Sequence, residues 1–189
     1  MDPTLRKFTP KCGESVLVVI DVQEKLSNAM NPAEMKCVTE SIVRSIEGAH
    51  TLRVPVLVTE QYPKGLGPTL PPIQQALGEA PVLEKVVFSC CGAPNFLERL
   101  KQTKANTAVL VGMETHVCVL QTALDLLQKG YHVQILADAV ISRSPENKRI
   151  GLDLMREAGA VVSSVETVLF QWTEKAGTEE FKMISRLVR

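Results

Sequence analysis

The sequence lacks the features that mark several large classes of protein. Its 21 basic and 21 acidic side chains leave no net charge, so no surface for nucleic acid or an anionic membrane is predicted. The longest apolar runs, such as SVLVVI at 15–20, are too short to span a bilayer. The first fifteen residues contain no apolar stretch of the kind that a secretory signal needs. We therefore expect a soluble protein whose partners include neither nucleic acid nor membrane.

Cysteine and histidine are too few and too scattered for a metal cluster. There are three histidines, and the five cysteines form no C-x-x-C pair. An odd number of cysteines argues against a disulfide framework, and a disulfide between the adjacent Cys90 and Cys91 would be strained. The sequence thus predicts free thiols, no metal, no cofactor and a cytoplasmic location.

Short apolar segments alternate along the chain with longer amphipathic ones. This alternation predicts an α/β fold in which helices cover both faces of a parallel sheet. With neither repeats nor a Gly/Ser-rich linker, we expect one domain over 1–189, with 1–13 as an N-terminal extension. The predicted strands are 15–21, 54–60, 81–89, 107–112, 132–138 and 159–164.

Polar residues stand at the ends of several predicted strands, where sites in parallel sheets form. Asp21 ends the first strand and Gln61 follows the second, whereas Lys85 lies within the third. Cys118 follows the fourth strand, at the start of a helix that Thr115 would cap. The sequence therefore predicts a site that contains these side chains.

Cys118 is either a packing residue, as most cysteines are, or a nucleophile. Lowering the pKa of a thiol by two units requires about 2.7 kcal/mol, and a helix N-terminus contributes about 0.3–1 kcal/mol. The helix favours a thiolate but needs a charge partner. Lys85 is a candidate for that partner, and Asp21 is a candidate to accept the thiol proton.

Other polar and aromatic residues lie near the predicted site. Gln61, Tyr62 and Phe88 are candidate substrate contacts, although Phe88 also fits a core position. Gln23 either helps to hold the site or makes a turn hydrogen bond. His116 is two residues from Cys118 and would face elsewhere on a helix, so we expect it at the pocket rim. We interpret Asp138, at the end of the predicted fifth strand, as a carboxylate that orders a loop.

Three motifs together resemble the isochorismatase-like cysteine hydrolases. They are VVIDVQE at 18–24, LEKVVFS at 83–89 and GMETHVCVLQTALDL at 112–126. A fourth segment, TEQYPKGLGPT at 59–69, is most similar to the isochorismatase domain-containing branch.

The resemblance implies a three-layer α/β/α, Rossmann-like fold with a six-stranded, mostly parallel sheet. It also implies a triad in which Asp21 is the general base and acid, Lys85 holds the charges, and Cys118 is the nucleophile. A cis peptide is implied at Met113–Glu114, with the backbone N–H groups of Glu114 and Cys118 as the oxyanion hole. Thr115 joins the implied substrate contacts, and a homo-oligomer, dimer or tetramer, is expected.

Two departures from the family narrow the implied activity. The loop EQYPKGLGPTLPP contains neither the Asp nor the His with which nicotinamidases bind a metal. Typical isochorismate hydrolases lack the cysteine that this chain has at position 118. We therefore predict a metal-independent cysteine hydrolase that cleaves a C–N bond of a small amide or ureide through a thioester. The alternatives are a non-catalytic binding or scaffold protein on the same fold and a redox-active thiol protein.

Overall fold

The computed structural model describes residues 3–189, and the first two residues of the predicted N-terminal extension lie outside that range. One sheet has the strand order β3-β2-β1-β4-β5-β6, and every neighbouring pair is parallel. The predicted six-stranded α/β fold is therefore confirmed. The strands are β1 Ser15–Ile20, β2 Val56–Gln61, β3 Val82–Lys85, β4 Thr107–Met113, β5 His132–Ile141 and β6 Val161–Ser163.

Helices connect the strands, and a π-helical turn at Thr115–Val119 precedes one of them. The longest helix begins where the sequence predicts, because the Asn31 side chain accepts hydrogen bonds from the N–H groups of Ala33 and Glu34. The α-helices are α1 Glu24–Ser27, α2 Pro32–Thr51, α3 Pro63–Leu66, α4 Pro71–Leu77, α5 Phe96–Gln102, α6 Leu120–Gln128, α7 Pro145–Glu157, α8 Val165–Thr173 and α9 Glu179–Leu187.

The sheet separates two hydrophobic cores. Alternate residues of β1 point to opposite faces, so that Leu17 and Val19 pack in one core while Val18 and Ile20 pack in the other. Side chains of α2, α4, α8 and α9 complete the first core, and those of α5, α6 and α7 complete the second. Both faces of β1 and β4 are covered, which explains why these strands are continuously apolar.

Two strand ends differ from the sequence-based prediction. β3 ends at Lys85, so that Phe88 and Ser89 lie in the segment after it. β5 continues to Ile141, which places Asp138 within the strand rather than at its end. The Asp138 carboxylate accepts a hydrogen bond from the N–H of Val165 at the start of α8. It therefore orders a helix start.

The described helices give no sign of a bilayer segment. None within residues 3–189 has both the length and the apolar character needed to cross a membrane.

Gly112 in β4 allows a close approach to β1 that no other residue would. Its φ is +117°, and a Cβ atom at this position would overlap the carbonyl oxygen of Ile20. Gly159 is a matched control, because its φ is +107° and no atom lies within 4 Å of the position that its Cβ would occupy.

We predict that Gly112→Ala lowers the free energy of unfolding by at least about 3 kcal/mol, whereas Gly159→Ala lowers it by about 1–2 kcal/mol. Urea unfolding followed by circular dichroism measures both values. Equal losses in the two variants would mean that backbone strain, rather than contact with β1, accounts for the glycine.

Candidate active site

The strand order places a topological switch point at β1, where parallel sheets bind ligands. From β1 the chain first builds β2 and β3 on one side and later β4, β5 and β6 on the other. The residues that follow β1, β3 and β4 therefore converge at one edge of the sheet. Lys85 at the end of β3 reaches across β2 to meet Asp21, which directly follows β1.

Asp21 is completely buried and accepts two side-chain hydrogen bonds. Its Oδ2 lies 2.6 Å from Nζ of Lys85, and its Oδ1 lies 2.8 Å from Oγ1 of Thr59. The Cys118 thiol lies near enough to the carboxyl group for each to shift the pKa of the other. Asp21 has φ +53°, in the left-handed region that Asp tolerates better than most residues. The carboxyl group is thus the centre of the candidate site.

Lys85 is held by oxygen atoms on several sides. Besides Asp21, its ammonium group donates to Oε1 of Gln61 at 2.8 Å and to the carbonyl oxygen of Phe88 at 2.9 Å. The side chains of Lys85 and Asp21 are both 0% exposed. Burying two charges is costly, and excellent geometry with additional hydrogen bonds offsets that cost.

Cys118 lies in the π-helical turn rather than in the first turn of an α-helix, which corrects the sequence-based prediction. Glu114, not Thr115, is the residue at the cap position, and the Thr115 side chain makes no capping bond. The Thr115 hydroxyl is buried and has no hydrogen-bond partner within the described part of the chain. Cys118 itself is 5% exposed. π-Turns of this kind are frequent at functional sites.

The expected thiolate is not favoured in this structure. Burial raises the pKa of the Cys118 thiol, the negative charge of Asp21 raises it further, and Lys85 opposes both effects. Burial also raises the pKa of Asp21, against the effect of the Lys85 ammonium. Burial is the largest of these effects, so the prediction of an acidified thiol is wrong. Asp21 and Cys118 titrate as a coupled pair.

The segment between β4 and Cys118 is fixed from outside the turn. The peptide bond between Met113 and Glu114 is cis. The Glu114 side chain is largely buried, and its Oε2 accepts a hydrogen bond of 3.0 Å from the backbone N–H of Arg143. The loop after β5 thus anchors the residue that precedes the π-helical turn.

Two glutamines organise the side of the site near β2. The Gln23 side chain accepts from the N–H of Gln61 at 2.8 Å and donates to the carbonyl oxygen of Gly67 at 2.6 Å. Gln23 therefore holds the loop that follows β2. The Gln61 side chain accepts from Lys85 and donates to the carbonyl oxygen of Val86, and its expected contact with substrate stays a prediction.

Two aromatic rings expected at the pocket are accessible. Tyr62 is 54% exposed and Phe88 is 52% exposed, so the core position that we considered for Phe88 is wrong. A cleft of about 350 Å³ adjoins Lys85 and is lined in part by Tyr62, Val86 and Pro94. The imidazole of His116 pairs with Oγ of Ser142 at 2.9 Å, and no bond from it to Cys118 is found among residues 3–189.

A larger groove than the cleft beside Lys85 lies elsewhere. It has a volume of about 750 Å³, lies along α2, and is lined by Met35, Val43 and Leu70 among others. None of the candidate catalytic side chains lines it. Size alone would therefore misplace the site, whereas the buried charges locate it.

The described residues contain no group of three His, Cys, Asp or Glu side chains that could hold a metal ion. All five cysteines are free. Sequence reasoning missed two members of the site, Thr59 and Cys90, whose side chains lie 3.5 Å apart next to Asp21. Thr59 comes just before the polar end of β2, and the strand-end rule could have found it.

Comparison with known proteins identifies the type of domain. The model of the isochorismatase domain matches residues 15–167. The secreted isochorismatase effector Isc1 of Phytophthora sojae is 40% identical over 180 residues, which cover 93% of this chain and 84% of the relative. The human isochorismatase domain-containing protein 2 is 36% identical over 188 residues, which cover 99% of this chain and 88% of the relative.

Solved structures show the same fold. The MAR1 ribonuclease of Caenorhabditis elegans superposes with a TM-score of 0.88 at 36% identity, covering 94% of this chain and 91% of that chain. A pyrazinamidase/nicotinamidase of Streptococcus mutans superposes with a TM-score of 0.66 at 22% identity, covering 78% of this chain and 99% of that chain. This second likeness concerns the fold alone. Together with the domain match and the relatives, these similarities establish that the chain belongs to the isochorismatase domain family and has the fold of its hydrolases.

Proposed function

We propose that the protein is a metal-independent cysteine hydrolase that cleaves a C–N bond of a small amide or ureide. The observation that carries this proposal is the completely buried carboxyl group of Asp21, which pairs with Lys85 at 2.6 Å and lies beside the buried thiol of Cys118. A thiol that burial keeps protonated needs a base in contact with it, and Asp21 is that base.

The acylation half of the reaction uses one proton. As Sγ of Cys118 attacks the carbonyl carbon, Asp21 takes the thiol proton, and the backbone N–H groups of Glu114 and Cys118 stabilise the oxyanion. Asp21 then gives the proton to the leaving nitrogen, the C–N bond breaks, and a thioester remains on Cys118. When the proton has moved to the leaving nitrogen, Asp21 is negatively charged again, and the ammonium group of Lys85 stabilises that charge.

Deacylation repeats the proton transfer with water. Asp21 takes a proton from a water molecule that attacks the thioester carbonyl, and returns it to Sγ as the carboxylic acid leaves. The cleft beside Lys85 is small, which favours a small substrate. In this proposal Tyr62, which lines the cleft, and the exposed ring of Phe88 contact the substrate, and the Thr115 hydroxyl, unpartnered among the described residues, binds one of its polar groups. Gln23 holds the loop after β2, and Gln61 holds the ammonium group of Lys85.

The solved relatives suggest two different reactions, amide cleavage and RNA hydrolysis. The nicotinamidase-like fold supports cleavage of an amide, although the loop EQYPKGLGPTLPP of this chain has no His or Asp. One solved relative carries the name of a ribonuclease. We keep RNA hydrolysis as a second activity to test, against which stands the absence of net positive charge on this chain.

Two other proposals concern the setting of the protein. Five free thiols fit a reducing compartment, and we propose the cytoplasm, although one relative is named a secreted effector. The implied homo-oligomer stays a prediction, as do the binding-protein and redox alternatives. A binding protein has no use for a buried ammonium group beside a carboxylate and a thiol, which is why we favour the hydrolase.

We predict that substitutions at the nucleophile and the base abolish turnover without unfolding the protein. In a screen of small amides and ureides read by ammonia release, Asp21→Asn reduces kcat/KM by about 10²–10⁴-fold, and Cys118→Ala removes detectable activity. Cys37→Ala is the control, because that thiol is exposed and lies outside the site. Full activity of Cys118→Ala would rule out a thioester, and cleavage of RNA by that variant would favour the ribonuclease alternative.

We predict opposite shifts of thiol reactivity in two variants. The rate of Cys118 alkylation rises with pH as the thiol ionises, and the pH of half-maximal rise is the upper midpoint. The negative charge of Asp21 raises the pKa of Cys118, so Asp21→Asn lowers this midpoint. The positive charge of Lys85 lowers the pKa of Cys118, so Lys85→Ala raises the midpoint. Iodoacetamide labelling read by peptide mass spectrometry measures the midpoints, with exposed Cys37 as internal reference. The wild-type midpoint lies above the usual value of about 8.5. Identical midpoints in all three proteins would mean that the groups are not coupled.

We predict that chelation leaves hydrolysis unchanged. Dialysis against EDTA should not alter kcat/KM, because the described residues offer no three-ligand site. A loss of activity that Zn²⁺ or Mn²⁺ restores would contradict the metal-independent mechanism.

A further inference from the structure

Thr59 makes a contact with the base that the proposed mechanism does not use. It lies in β2, and its backbone carbonyl accepts a hydrogen bond from the N–H of Asp21 at 3.1 Å. Its hydroxyl donates to Oδ1 of Asp21 at 2.8 Å. Both residues are completely buried, so water does not compete for this bond.

The hydrogen bonds around Thr59 have one consistent direction. A threonine hydroxyl has a single hydrogen, and here it points to the carboxyl oxygen of Asp21. In its contact of 3.5 Å with Sγ of Cys90, the same hydroxyl can therefore only accept, and the thiol is the donor. The chain of donors runs from Cys90 through Thr59 to Asp21.

Cys90 is suited to remain the donor. It is completely buried, and burial raises the pKa of its thiol to about 12, so it keeps its proton over the whole range in which an enzyme works. Its backbone N–H donates to Oγ1 of Thr122 at 2.9 Å. Thr122 lies in α6, four residues after Cys118, so Cys90 is fixed to the helix that directly follows the nucleophile's π-helical turn.

The two oxygens of the Asp21 carboxyl group have different donors, a neutral hydroxyl on Oδ1 and an ammonium group on Oδ2. Thr59 occupies Oδ1 and Lys85 occupies Oδ2, so the plane of the carboxyl group is fixed by one partner on each oxygen. Cys118 then meets the carboxyl group in a single orientation. With Oδ1 unoccupied, the group could rotate about its bond to Cβ and would carry its charge with one hydrogen bond fewer.

We propose that Thr59 is the positioning residue of the site: its hydroxyl, held by the Cys90 thiol, orients Asp21 toward Cys118 and stabilises the charged form of Asp21. This inference rests on the proposed function for its meaning in catalysis, but its test does not require a substrate.

The test is the lower pH limb of Cys118 alkylation by iodoacetamide, measured from pH 3 to 9. In the wild type the rate falls when Asp21 is protonated, because the thiol then loses its base. Thr59→Val keeps the shape of the side chain and removes the donor. Losing one hydrogen bond to a charged group raises the lower midpoint by about 1–2 pH units. Thr59→Ser restores the wild-type midpoint.

A matched control separates positioning from stability. Thr107 is also buried in a strand, but its hydroxyl donates to the Asn106 side chain at the start of β4. Thr107→Val is expected to change thermal unfolding without moving the midpoint. Should Thr59→Val fail to fold, Thr59→Ala replaces it, with Thr107→Ala as its partner.

Each outcome decides the inference. A midpoint that rises in Thr59→Val and returns in Thr59→Ser supports it, even if no amide or ureide is hydrolysed and the proposed function fails. A midpoint in Thr59→Val equal to that of the wild type and of Thr107→Val overturns it, whatever the substrate proves to be.

Discussion

The site depends on the buried ion pair between Lys85 and Asp21. Neither charge has water to solvate it, so each must be compensated by the protein, and the surrounding hydrogen bonds follow from that requirement. Carbonyl and amide oxygens surround the ammonium group, while the Thr59 hydroxyl donates a second hydrogen bond to the carboxyl group. The positions of the ends of β1, β2 and β3 are thus tied to one another by electrostatics as well as by the sheet.

Much of the fold could be predicted from the sequence, because it depends on local patterns. Continuous apolar runs identify β1 and β4 as central strands, and Asn31 followed by Pro32 marks the start of α2. The length of β5 could not be predicted. Asp138 looks like the end of a strand, but its carboxylate serves the N–H of Val165, and that partner is set by tertiary packing.

The candidate site could be predicted in its composition but not in its electrostatics. Strand-end positions point to Asp21, Lys85 and Cys118, and the motifs add their roles. The state of the thiol depends on burial, which no residue pattern reports, and so the expected acidification by a helix start was wrong. Thr115 shows the same limit. The sequence predicts that its side chain caps a helix, whereas its hydroxyl lies in the π-helical turn with no partner among the described residues.

The hold on Lys85 after β3 has a consequence for how this scaffold diverges. The carbonyl oxygens of Val87 and Phe88, rather than their side chains, accept from the ammonium group. The side chains of Val86, Val87 and Phe88 are exposed, that of Val86 by 76%, and the hydrogen bonds to the ammonium group do not involve them. Mutations can therefore replace these three side chains while the backbone carbonyl oxygens continue to accept hydrogen bonds from Lys85. In the proposed hydrolase, such replacements would change the surface beside the cleft and leave the hydrogen bonds of Lys85 in place.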